Sequence, residues 1–131
     1  MNHNRNHPLT LVVLPEKLAV CRLDADSQIP DWAIKSAFFS ITKTLDELSI
    51  VLIDNDVPAE IKAEKYWRSL KVQGPLDFAL TGVLVSLIAP LAEARISIFA
   101  LSTFDTDYIL VKEERLEESI KILSQFCTVI C

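Results

Sequence analysis

Between Tyr66 and Ile130 the apolar residues switch repeatedly between strand and helix periods, and that alternation restricts the fold more than any other feature of the chain. Tyr66–Gln73 reads as a strand with Trp67, Leu70 and Val72 apolar, and Gly74–Pro75 breaks it. Asp77 is placed to cap a helix starting near Phe78. Leu80, Val83, Leu84, Leu87, Ile88 and Leu91 recur at helical spacing and give that helix one broad apolar face. Pro90 is expected to kink its last turn rather than end it. Ile96–Leu101 and Tyr108–Lys112 predict a hairpin around STFDTD at 102–107. Leu116, Ile120 and Leu123 line a second helix, and Cys127–Ile130 closes as a strand. The order is strand, helix, strand, strand, helix, strand, which places helices on one face of an antiparallel sheet.

The first half is less regular. PLTLVVL (8–14) and LAVCRL (18–23) predict two strands around a turn at Pro15 and Glu16. Pro30 stands at a helix-start position, allowing a turn or two of helix over 29–36. FFSITKT (38–44) and LSIVLI (48–53) predict a hairpin through Leu45–Glu47, and Pro58–Lys65 is a short helical candidate. An internal echo links the halves. Phe39-Ser40-Ile41-Thr42 matches Phe99-Ala100-Leu101-Ser102, and the acidic turn Thr44-Leu45-Asp46 matches Thr103-Phe104-Asp105. Ser49-Ile50-Val51-Leu52 then matches Tyr108-Ile109-Leu110-Val111, at an offset of about 60 residues. The expected fold is α+β and ferredoxin-like, in two modules with antiparallel sheets and helices packed on one face. A tail at 1–7 precedes an incomplete module at 8–65, and a complete βαββαβ module follows at 66–131.

Composition narrows the function. Of 131 residues 50% are apolar and only two are glycine, which excludes a disordered or collagen-like chain. A net charge of -5 argues against a nucleic-acid partner, which needs clustered Lys and Arg. The most apolar stretch, Phe78–Leu91, contains Pro90 and is too short to span a membrane. With no basic region and long apolar run at the start, a cytoplasmic location is expected. Cys21, Cys127 and Cys131 form no C-x-x-C pair, and His3 and His7 lie in the polar start. The cysteines read as buried small hydrophobes in a reducing compartment, and no metal or cofactor is expected.

Catalytic motifs are absent: the chain has no G-x-S-x-G, no P-loop and no G-x-G-x-x-G, so no enzyme is expected. Asp105 and Asp107 stand two apart across a turn, which fits a solvated cluster better than an acid and a base. The 102–107 loop has another use. Ser102 and Thr103 offer hydroxyls, and Asp105 and Asp107 offer charge. Facing the helix start at Asp77–Phe78, the loop would make a small amphoteric site. Backbone N–H groups there suit a carboxylate, while Asp77 or Asp107 suits an ammonium. The plainer alternative makes Asp77 an N-cap and the loop a hairpin turn.

GPLDFALTGVLVSLIAPLAEARISIFALSTFDTDYILVKEERLEESIKIL resembles the ACT domain, in the branch similar to the C-terminal part of the CASTOR arginine sensors. FFSITKTLDELSIVL resembles that branch's other half-module, so the likeness runs from about Leu18 to Leu123. The resemblance implies a regulatory βαββαβ domain that binds an amino acid at an interface between modules. Carried over, the pocket would draw on Ser49 and Ile50 from the first module and on Asp77, Thr103, Phe104 and Asp107 from the second. A sheet with open edges leads to the expectation of a homo-oligomer, and with no catalytic motif in the sequence the regulated partner is expected to be a separate, unidentified protein; the alternative is a ligand-free interaction or dimerisation module. Arg95 stands where the family usually carries Gly. A side chain in a left-handed helix end costs roughly 1 kcal/mol, so a rebuilt turn is expected there.

Overall fold

The computed structural model describes residues 9–74 and 82–131. They fall into two compact units: Glu16–Trp67, called here the first unit, and the residues through Pro15 together with Arg68–Cys131, the second unit. Two long strands contribute residues to both, β1 (Thr10–Leu23) and β4 (Ala63–Val72).

The first unit holds α1 (Asp31–Ile34), β2 (Phe39–Lys43) and β3 (Leu48–Ile53), with strand order β2-β3-β1-β4. The β1–β3 and β2–β3 ladders are antiparallel, with Cys21 opposite Ile50 and Ile50 opposite Ile41. Alternation along the strands sends Ala19, Cys21, Leu48, Ile50 and Leu52 into one core, closed by Ala33 and Val57. Ser36 accepts a hydrogen bond from the Ile53 N–H at 3.2 Å and so ties the end of β3 to the segment after α1.

The second unit holds α2 (Val83–Glu93), β5 (Ile98–Ser102), β6 (Asp107–Lys112), α3 (Leu116–Leu123) and β7 (Thr128–Ile130). Its strand order is β7-β1-β4-β6-β5, with β7 parallel to β1. Leu11 and Val13 of β1, Leu70 and Val72 of β4, and Ile109 and Val111 of β6 face Leu87 and Leu91 of α2 and Leu123 of α3. Burying side chains of this kind stabilises the fold by about 1.5–3 kcal/mol each.

Several expectations are corrected. The turn expected at Pro15–Glu16 is absent: β1 is one strand of 14 residues. Pro15, Glu16 and Lys17 are exposed in its middle, where a missing N–H is tolerated. No helix forms over 58–65. Ile61 N–H bonds the Pro58 carbonyl at 3.1 Å in a single turn, and β4 begins at Ala63. The expected antiparallel pairing holds for β1–β3, β2–β3 and β5–β6, while the short β7 pairs parallel with β1. Cys21 is buried as expected, but Cys131 is exposed, since it follows β7 outside the ladder. The helix start expected near Phe78, with its Asp77 cap, falls outside the described residues.

The turn at Arg95 is not rebuilt. Arg95 has φ 61, and the helix end keeps its full set of closing bonds. Ile96 N–H bonds the Leu91 carbonyl at 3.0 Å and Arg95 N–H bonds the Ala92 carbonyl at 2.9 Å, which is the Schellman pattern. Burial of Ile96 and Leu91 in the core holds the conformation against its steric cost. The Arg115 guanidinium adds bonds to the Ala94 carbonyl at 3.3 Å and the Arg95 carbonyl at 3.4 Å, and pairs with Glu118 at 2.8 Å.

Candidate functional site

The echo seen in the sequence is a duplicated hairpin. β2 maps onto β5 and β3 onto β6 with one constant offset, so that Phe39 corresponds to Ile98 and Leu48 to Asp107. This moves the expected match of Phe39 with Phe99 by one residue. The ladders agree: Phe39 pairs with Leu52 as Ile98 pairs with Val111, and Lys43 pairs with Leu48 as Ser102 pairs with Asp107. Ile50 and Ile109 correspond under this offset, and both lie at 0% exposure in their cores.

Both turns are closed by a threonine. Thr44 N–H bonds the Glu47 carbonyl at 2.9 Å, and the Thr44 hydroxyl accepts from the Asp46 and Glu47 N–H groups at 3.1 and 3.2 Å. Thr103 N–H bonds the Thr106 carbonyl at 2.8 Å, and the Thr103 hydroxyl accepts from the Thr106 N–H at 3.3 Å. A threonine does this because its short side chain reaches backbone donors two or three residues on. Each tip carries an apolar residue to the surface, Leu45 at 99% exposure and Phe104 at 79%.

Beside the second turn lies a hollow of about 210 Å³ lined by Lys71, Gly74, Thr103, Asp105, Thr106 and Tyr108. Every one of these residues belongs to the second unit. Lys71 comes from β4, and its ammonium stands 5.8 Å from the centre of the Tyr108 ring on β6. Such a cation–π contact limits where the long side chain can go. Thr106 is buried, and its hydroxyl donates to the Val72 carbonyl, fixing the turn to the end of β4. The hollow therefore presents an ammonium and a carboxylate on walls held by backbone bonds. That is the complement a zwitterion needs, with a charge for each end.

The expected site residues are divided by the structure. Thr103, Phe104 and Asp107 share the second turn, and Thr103 lines the hollow. Asp107 accepts the Ser102 hydroxyl at 2.6 Å, so one carboxylate oxygen already has a partner. Ser49 and Ile50 lie on β3 in the first unit, where the Ile50 side chain is wholly buried. Asp77 lies outside the described residues. Sequence reasoning missed Lys71, Gly74, Thr106 and Tyr108 as lining groups. Lys71 could have been found from the strand alternation that put Leu70 and Val72 in the core and so turned Lys71 to the opposite face.

Residues 62–125 match the ACT domain family, a range that includes all six lining residues. The chain is an ACT-domain protein. Residues 16–60 match the N-terminal domain of a second family. The human cytosolic arginine sensor for mTORC1, subunit 1, is 35% identical over 99 residues, covering 67% of this chain. This chain spans 30% of the length of that relative. A crystal structure of an Agrobacterium tumefaciens protein is 37% identical, with a TM-score of 0.88 over 94% of this chain and 92% of the other. The aspartate kinase of Clostridium acetobutylicum shares the fold alone. It is 13% identical, with a TM-score of 0.62 over 84% of this ACT chain and 32% of the kinase.

The second unit has two α-helices of 11 and 8 residues, while the first has the four-residue α1 and one 3-10 turn at Asp54–Asp56 between its strands. Among the described residues no cluster of His, Cys, Asp or Glu could hold a metal ion, and no helix is long and apolar enough to cross a membrane.

Proposed function

We propose that this chain is a cytosolic regulatory module that binds a free amino acid and passes the binding on through a homo-oligomer or a separate target protein. One observation carries the reading: an ammonium, Lys71, and a carboxylate, Asp105, line a single small hollow inside the segment that matches the ACT family. Lys71 receives the α-carboxylate and Asp105 the α-ammonium, with Thr103 and Thr106 fixing the turn between them. A relative named as an arginine sensor supports a regulatory role over a catalytic one. Of the residues that the resemblance implies, Ser49, Ile50, Asp77, Thr103, Phe104 and Asp107, the proposal takes up Thr103, Phe104 and Asp107 at the second turn, because the Ile50 side chain is wholly buried in the first unit.

Isothermal titration tests it. The amino acid that binds the native chain should lose at least tenfold in affinity to Lys71→Met and to Asp105→Asn, because each removes a charged partner of the zwitterion. Unchanged binding in both variants moves the site elsewhere. A second reading, a ligand-free interaction module, draws on the exposed tips Leu45 and Phe104. It requires a stable dimer and no response to any amino acid.

A further inference from the structure

The first unit has a hollow of its own beside the corresponding turn. It measures about 510 Å³ and is lined by Ala25, Asp26, Lys43, Thr44 and Leu45. Lys43 is the last residue of β2, Thr44 closes the turn, and Ala25 and Asp26 follow the end of β1. The Lys43 ammonium donates to the Ala25 carbonyl and so joins the two walls. That bond uses one of three donors on the ammonium, leaving two for an incoming group. Asp26 supplies the opposite charge, and Ala25 and Leu45 supply apolar surface. The second unit's hollow likewise combines one lysine, one aspartate and the threonine that closes the turn.

We infer that the first unit carries a second binding site for an amino-acid zwitterion, with Lys43 meeting the carboxylate, Asp26 the ammonium, and Leu45 packing on an apolar side chain. The inference rests on the amino-acid reading above, and adds to it a stoichiometry of two per chain. The charges come from positions that do not correspond under the hairpin offset: Lys43 lies on the hairpin and Lys71 on β4, while Asp26 follows β1 and Asp105 lies in the turn. The two sites therefore hold the zwitterion in different orientations, and a side chain favoured by one need not be favoured by the other.

The test is a titration of the ¹⁵N-labelled full chain with each proteinogenic amino acid in turn, reading amide shifts. At least one amino acid should move the resonances of Ala25, Asp26, Thr44 and Leu45. Lys43→Met and Asp26→Asn should each abolish those shifts while leaving any shifts at Thr103–Thr106 in place. Asp26→Asn keeps the Lys43–Ala25 bond, so it removes the ligand charge without opening the walls. Movement at Thr103–Thr106 alone overturns the second site and leaves the amino-acid reading standing. Movement at neither set overturns both. Movement at the first-unit set that survives both variants also refutes the assignment of Lys43 and Asp26.

Discussion

The hairpins β2–β3 and β5–β6 share register, turn closure and an exposed apolar tip, yet the elements that cover them differ. In the second unit, residues 73–97 contain α2, and α3 adds a second helical wall over Ile109 and Val111. In the first unit, residues 24–38 contain only α1, and Ala33 and Val57 close the core over Ile50 and Leu52. The same hairpin thus works under a two-helix cover and under little more than one turn of helix. What it requires is an apolar lid on one face, because its alternation buries one face whatever lies above it.

If the hairpins are equivalent, their central isoleucines should be equivalent too. Ile50→Ala and Ile109→Ala, both at fully buried positions, should each cost about 2–5 kcal/mol in urea unfolding. A cost below about 1 kcal/mol at either would show that its cover collapses onto the gap, and the comparison would fail there. Next in size is a contact from the second turn to β4. Thr106 is buried and bonds the Val72 carbonyl, whereas its counterpart Glu47 is only half-buried. Thr106→Val should cost about 1–2 kcal/mol, and Glu47→Val should stay within about 0.5 kcal/mol.

The smallest effect concerns the thiols. Burial raises the Cys21 thiol above its ordinary 9.0, with Lys65 opposing in part, and burial also raises Cys127. A raised folded-state value means that the unfolded chain loses its proton first as pH rises. The contribution is therefore fully present below the ordinary thiol value and is lost as pH climbs through the raised one. Unfolding free energy should fall between about pH 8 and 10, and Cys21→Val should flatten that fall. An unchanged slope in the variant would assign it to other groups.

The sequence made the hairpins, α2, α3 and the core faces legible, because period-two and helical spacing leave direct marks at Leu48, Ile50 and Leu52 and at Leu87 and Leu91. It misplaced β1 because Pro15–Lys17 looks like a turn, and only pairing on both sides makes it the middle of a strand. It misjudged Arg95 because a local steric cost was overruled by the burial of Ile96 and Leu91. At the candidate site Thr103 was legible from hydroxyls and charges clustered in one turn. Lys71 and Tyr108 were not, since their meeting depends on the pairing of β4 with β6 across a long stretch of chain.

The most direct test is a thermal-shift screen of the native chain against the proteinogenic amino acids, with Lys71→Met and Asp105→Asn alongside. A ligand that binds only the folded state stabilises it by about 2.7 kcal/mol at a hundredfold excess over Kd. The account predicts a concentration-dependent rise in Tm with at least one amino acid, strongly reduced in both variants. A native chain whose Tm no amino acid moves at any concentration would contradict it.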